Sequence, residues 1–247
     1  DTGAPYYASA LSYYRAALAA YGTAWDEFRV KQIPRDTPTL TTLLRYDAVV
    51  WSAPFDSPGS IGAGQALSGY LQAGRGLVLS GQDIGYWDGG WFGAQPYYDK
   101  LNVVWRSDNA QSKHLIGTGS VWPTRPFTLT GGDGANNQYY PDQIDILDGD
   151  YSTALARYET PLFPTWDTAA VLTGQCRDYR AAYLAFGLEG ISRASDRNEM
   201  LATLLDALRA PRPTVGVGLA VADGLPTEDA IGVPGETLTR VLRVRNT

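Results

Sequence analysis

Apolar and polar positions alternate in two rhythms along the first 90 residues. Tyr7, Leu11, Tyr14, Leu18 and Tyr21 recur at intervals of four, three, four and three, one apolar stripe of a helix that Gly22 ends. Residues 24–30 (AWDEFRV) and 47–53 (DAVVWSA) read as strands, the second one buried, with TPTLTTLLRYD between them as a short helix carrying Pro38 near its first turn. The stretch IGAGQALSGYLQAG predicts a further helix, leading through Gly74 into a strand at 76–81. Strands and helices that alternate at this spacing predict a parallel sheet flanked by helices on both faces.

Between about residues 88 and 165 the rhythm breaks. Gly, Pro, Asn and Asp are frequent, and only LNVVW, KHLIG and PFTLT look like strands, so the segment reads as an irregular insertion. Order returns at 169–174 and 180–186, two apolar runs separated by six residues that predict an antiparallel hairpin. A last helix is expected from Asp196, with Glu199 completing a capping box and Leu201, Leu204, Leu205 and Leu208 buried. Pro211 and Pro213 close this first domain, 1–211. Residues 212–247 alternate apolar and polar positions around a Pro-Gly turn, the opening strands of a β module too short to enclose a core of its own. Such a β tail is expected to dock on the body or to pair with another copy.

Composition narrows the function classes. The chain has 247 residues, 44% hydrophobic and 19% charged, ordinary values for a globular protein with a sizeable core. No window holds 18 uninterrupted apolar residues, and the first residues show no signal-peptide pattern, so no membrane span is expected. A net charge of −6 with no basic block argues against nucleic acid as a partner. Cys176 is the only cysteine, which excludes an internal disulfide and a cysteine metal cluster. No cofactor motif is present.

The segment Gly81-Gln82-Asp83-Ile84-Gly85 follows a predicted buried strand with the spacing of a nucleophile elbow, the turn that lifts a reactive side chain above a sheet. Two readings compete for Asp83. It can act as the nucleophile of a hydrolase, as in haloalkane dehalogenases, or its carboxylate can cap the next helix by accepting backbone N–H bonds. The first needs a base to activate water, and the only histidine, His114, lies inside the irregular segment. No Gly-x-Ser-x-Gly elbow follows a strand. Asp142, Asp145, Asp148 and Asp150 fall within nine residues and offer oxygen ligands for calcium, or form a solvated acidic turn. Gln82, Trp87, Trp91, Tyr139 and Tyr140, with Tyr97 and Tyr98 nearby, form a polar and aromatic mixture that can stack on a glycan, hold a peptide, or simply pack.

Three stretches, YDAVVWSAP, LSGYLQAGRGLVLSGQDIG and YRAAYLAFGLEGIS, together resemble the class I glutamine amidotransferase-like superfamily, in its non-enzymatic branch within large secreted bacterial proteins. The loop GGDGANNQYYPDQI is similar to one in that branch, and the tail PGETLTRVLRVRNT resembles immunoglobulin-like repeats of bacterial surface proteins. The resemblance implies a flavodoxin-like sheet and an accessory role beside a subtilisin-like protease domain outside this chain. It also implies a secreted or cell-surface location and, as partners, the other domains of the same polypeptide. Active members carry cysteine at the elbow where this chain has Asp83, so the resemblance implies no amidotransferase triad. It also implies a first strand ahead of DTGAP: either a neighbouring segment such as the C-terminal β tail fills its place, or the sequence is a fragment of a longer polypeptide.

Overall fold

A computed structural model describes residues 1–6, 8–90, 93–175 and 177–210. The expected β tail, together with Tyr7, Trp91 and Cys176, lies outside the described residues. Four α-helices are present: α1 (Leu11–Tyr21), α2 (Leu40–Leu43), α3 (Gly64–Gln72) and α4 (Ala194–Arg209). The strands are β1 (Ala48–Ser52), β2 (Gly76–Ser80), β3 (Val103–Ser107), β4 (His114–Gly117), β5 (Pro126–Thr128), β6 (Gln143–Ile146), β7 (Ser152–Tyr158), β8 (Thr168–Thr173) and β9 (Arg180–Leu184). Among the described residues no helix is long and apolar enough to cross a membrane.

The architecture is mixed α/β around one curled sheet in the order β1-β2-β9-β8-β7-β4-β5, with β3 and β6 joining beside β8. Only β1, β2 and β9 run parallel, in a register that sets Trp51 beside Leu79 and Leu79 beside Tyr183. From β9 through β8, β7 and β4 to β5, every pairing is antiparallel. The flavodoxin-like parallel sheet expected from the sequence is thus confined to three strands, and the antiparallel pairing expected only at 169–186 extends through most of the sheet. Residues 88–165 are not an appendage, because β3 to β7 belong to the same sheet. Their strands are mostly three to five residues long, too short for a period of two to register, and they pair with partners far away in sequence.

Alternation along the central strands sorts side chains to two faces. Val78, Ala182 and Leu184 pack with Ala17 of α1 and with Leu201 and Leu204 of α4. Leu77, Leu79, Ala181 and Tyr183 pack on the other face with Leu67, Tyr70 and Leu71 of α3. All thirteen of these residues are buried, and the large side chains among them each contribute about 1.5–3 kcal/mol of hydrophobic stabilisation.

Two local expectations fail. Helix α4 starts at Ala194 without a side-chain cap, because Arg125 draws off both members of the predicted capping box, Asp196 at 3.0 Å and Glu199. Residues 24–30 form no regular strand. They are nonetheless extended enough to bridge the chain start: Asp1 N donates to Phe28 O at 3.0 Å, and Val30 N donates to Asp1 O at 3.0 Å. One residue bonded to positions 28 and 30 is the pattern of a parallel ladder. On the opposite side Thr2 N donates to Ser52 O at 3.0 Å.

Asp1 and Thr2 thus close one end of a groove between residues 24–30 and β1. The bonds Gly76 N to Asp47 O and Ala53 N to Ser80 O show that odd-numbered residues of this segment turn their peptide groups towards β2. Those of Ala48 and Val50 face the groove. The groove holds about 400 Å³, lined by Leu11 and Leu18 of α1, Leu205 of α4, Leu43 of α2, Phe28 and Val50.

Candidate functional site

Strand β2 ends in a sharp turn at Gly81, where any Cβ would collide with the carbonyl of Ala53. Two residues on, Asp83 has φ 65°, a left-handed backbone that a non-glycine residue seldom adopts. The elbow expected from the sequence is therefore formed. Gly85–Gly90 follows as a π-helical turn.

The capping role expected of Asp83 falls instead to Asp142. Its Oδ2 accepts from Gly85 N at 2.7 Å and Tyr86 N at 3.3 Å, and its Oδ1 accepts from Trp105 Nε1 at 2.9 Å. A side chain at position 85 would meet Asp142 Oδ2 at 2.8 Å, so glycine is what allows this approach. Asp83 is buried at 5% exposure, and its Oδ1 has no hydrogen-bond partner. One carboxylate oxygen each from Asp83, Asp108 and Asp142 lie within 4.8 Å of one another. Burial, then the negative charges of Asp142 and Asp108, push the Asp83 carboxyl up to about 10. Burial also raises Asp142 well above the usual carboxylate range, opposed by its three neutral donors. Among the described residues no ion pair with Lys or Arg reaches any of these three carboxyls.

Gln82, Glu189 and Asp88 near the elbow are each bonded, whereas the buried hydroxyl of Tyr98, beside Gly85 and Asp142, has no hydrogen-bond partner among the described residues. Gln82 is a staple rather than a free ligand: its Nε2 donates to Pro54 O at 3.1 Å and Asn137 O at 2.6 Å, while its Oε1 accepts from Tyr139 N at 2.6 Å and Tyr140 N at 3.0 Å. Glu189, fully buried after β9, accepts from Tyr14 Oη at 3.1 Å, Asn137 Nδ2 at 3.0 Å and Gln138 Nε2 at 3.2 Å, and burial raises its carboxyl. Asp88 accepts from Ile61 N at 3.0 Å and Tyr97 Oη at 2.7 Å.

The acidic run is dispersed. Only Asp142 enters the buried group; Asp145 pairs with Arg106 at 3.1 Å, and Asp148 Oδ1 accepts from Asp150 N at 2.9 Å in an exposed turn. His114 is exposed at the start of β4, and no hydrogen bond or ion pair among the described residues connects it to Asp83. Tyr97 and Tyr98 are core residues, and Trp87 is half-buried with Nε1 donating to Asp56 O at 3.1 Å. Tyr139 and Tyr140 are exposed, at 60% and 45%. A surface pocket of about 390 Å³ lies beside Tyr139, Tyr13, Phe55 and Asn137. Asp108 sits in no motif, and Glu189, although within the stretch YRAAYLAFGLEGIS, carried no site signal of its own; each meets its partners only through the fold.

No family model matches this chain, and no curated protein matches it. Among solved structures it is similar to the cytoplasmic protein STM1381 from Salmonella typhimurium LT2, at 16% identity and a TM-score of 0.52, covering 81% of this chain and 86% of that one. It is also similar to the cold-adapted β-galactosidase from Rahnella sp. R3, at 18% identity and a TM-score of 0.49 over 81% of this chain. A third likeness is to Agd3, a carbohydrate deacetylase, at 18% identity and a TM-score of 0.48 over 79% of this chain. This chain spans only 27% of the β-galactosidase and 30% of the deacetylase. At such identities the likeness to STM1381 concerns the mixed α/β fold alone.

Proposed function

We propose that this chain is a non-catalytic accessory domain of a larger secreted polypeptide, with the amidotransferase-like arrangement of helices around parallel strands, and that its sheet is completed by a strand supplied from elsewhere in that polypeptide. The observation that carries the reading is the open groove beside β1. On the β1 side the peptide groups of Ala48 and Val50 face it with no backbone partner among the described residues, Leu11, Leu18, Leu43 and Leu205 line it, and Asp1 and Thr2 already occupy the register of a parallel strand. A position walled by apolar side chains on both faces suits a strand of continuous apolar residues. The parent protein in this reading carries a subtilisin-like protease domain, and the elbow keeps its turn without serving as a nucleophile. Asp83 supports that last point, being buried, disposed to hold its proton, and without a contacting histidine.

Hydrogen exchange tests the reading. The amides of Ala48 and Val50 are expected to exchange quickly in this chain and at least tenfold more slowly in the parent polypeptide. Equal rates in both would sink it. A hydrolase reading is tested separately: Asp83-dependent turnover of any amide, ester or haloalkane substrate would overturn the non-catalytic assignment.

A second reading, binding of an extracellular glycan or peptide, rests on the exposed side chain of Tyr139 beside the surface pocket and that of Tyr140, its neighbour in sequence. A glycan array probed with the chain and with its Tyr139→Ala, Tyr140→Ala variant separates the two, since only the binding reading expects a signal that the variant loses.

A further inference from the structure

We propose that Asp83, Asp108 and Asp142 form a binding site for one divalent hard cation, such as calcium, seated at the elbow. Three observations carry it independently of the function proposed above. One oxygen from each of the three carboxyls lies within 4.8 Å of the others. Oxygens gathered this closely can converge on a single hard cation, which takes carboxylate oxygens as its ligands. The second is the orphan atom: Asp83 Oδ1 is inaccessible to solvent and has no hydrogen-bond partner among the described residues, whereas Gln82, Asp142 and Glu189 are each bonded several times; the Tyr98 hydroxyl beside Asp142 is likewise unpartnered and faces the same corner. A buried carboxyl oxygen without a partner is costly, and a cation satisfies it. The third is charge: three carboxyls converge where no lysine or arginine ion pair answers them, while the acidic residues of the nearby surface do have partners, Asp145 with Arg106 and Asp133 with Arg197.

Each residue has a distinct part. Asp142 is held rigidly by Gly85 N, Tyr86 N and Trp105 Nε1, so it offers a pre-oriented oxygen without reorganisation. Asp83 is fixed by the elbow backbone. Asp108, half-buried, forms the side through which an ion and its remaining waters enter. Without a cation the Asp83 carboxyl keeps its proton, because ionising beside two other carboxyls in a desolvated site is unfavourable. Binding therefore exchanges one for the other: the cation forms its bond to the Asp83 carboxylate and the proton passes to solvent. Asp83 then serves as a ligand, consistent with a carboxylate that is too enclosed to attack a substrate.

Calcium chloride titrated into the chelator-treated chain by isothermal calorimetry tests this. One saturable event per chain is expected, with a dissociation constant of about 10⁻³ M or tighter. Terbium at the same site should show emission sensitised by Trp105, whose indole touches Asp142. Asp108→Asn, at a partly exposed position, and Asp83→Asn should each weaken binding at least tenfold, while Asp145→Asn and Asp148→Asn leave it unchanged. Asp83→Asn keeps the shape of the protonated acid, so circular dichroism and thermal melting in chelator should show it folded. Absence of saturable calcium heat at about 5 mM, or binding that survives both Asp83→Asn and Asp108→Asn, or binding lost in Asp145→Asn or Asp148→Asn, overturns the site.

Discussion

Two groups of aspartates invite comparison. Asp142, Asp145, Asp148 and Asp150 are neighbours in sequence, yet three of them end on the surface, paired with Arg106 or with their own backbone. Asp83, Asp108 and Asp142 are far apart in sequence and converge in the interior. The difference teaches that carboxylate density along a chain says little about carboxylate chemistry. In water a run of aspartates is screened and solvated, and each charge costs almost nothing. Inside, the same groups lose hydration, raise one another's proton affinity and must be satisfied by fixed donors or by an ion.

The largest expected effect that would break this contrast comes from Asp142→Ala. It leaves Gly85 N, Tyr86 N and Trp105 Nε1 without their acceptor, and should cost about 3–5 kcal/mol in urea unfolding. Gln82→Ala orphans two N–H and two C=O groups and is expected to cost about 2–4 kcal/mol, measured the same way. A loss below about 1 kcal/mol in either would show that water replaces these bonds freely and that the interior is less enclosed than the distances imply.

A pH series sharpens the comparison. Burial and the charges of Asp142 and Asp108 push the folded-state pKa of Asp83 up to about 10, above the ordinary carboxyl value of 3.8, so the unfolded chain releases this proton first. Stability from this group is complete below pH 3.8 and is lost progressively as pH rises through the folded value. Asp142 and Glu189, also raised by burial, act in the same direction. In chelator, unfolding free energy should fall between about pH 5 and 8, and Asp83→Asn should flatten that slope and stabilise the chain by about 1–3 kcal/mol at pH 8. An unchanged slope in the variant would show that Asp83 titrates normally. Asp145→Asn and Asp148→Asn give the smallest effects, within about 0.5 kcal/mol of the parent at every pH.

Periodicity in the sequence was enough for α1, β1, α3 and β2, because an amphipathic helix or a buried strand shows its rhythm within one element. The β8–β9 hairpin was legible for the same reason, two apolar runs a short turn apart. It was insufficient for residues 24–30, where a strand-like run meets only Asp1 in a ladder pattern, has no regular strand beside it among the described residues, and remains irregular. Capping at Asp196 and Glu199 also misled, since a local signal lost to the longer-range pull of Arg125. The site was half legible: the spacing of Gly81, Asp83 and Gly85 foretold the turn, but not that Asp142 would take the backbone donors.

By itself the sequence determined the local elements, the elbow with Asp83 at its left-handed apex, and a composition able to bury a core. These depend on contacts between residues a few positions apart, where backbone sterics and side-chain period act directly. Only the tertiary structure decided that the sheet is mixed, that Asp108 and Asp142 meet Asp83, and that a groove opens beside β1. Each of those depends on pairings between distant segments, whose free energy comes from burial and desolvation that no single stretch of chain contains.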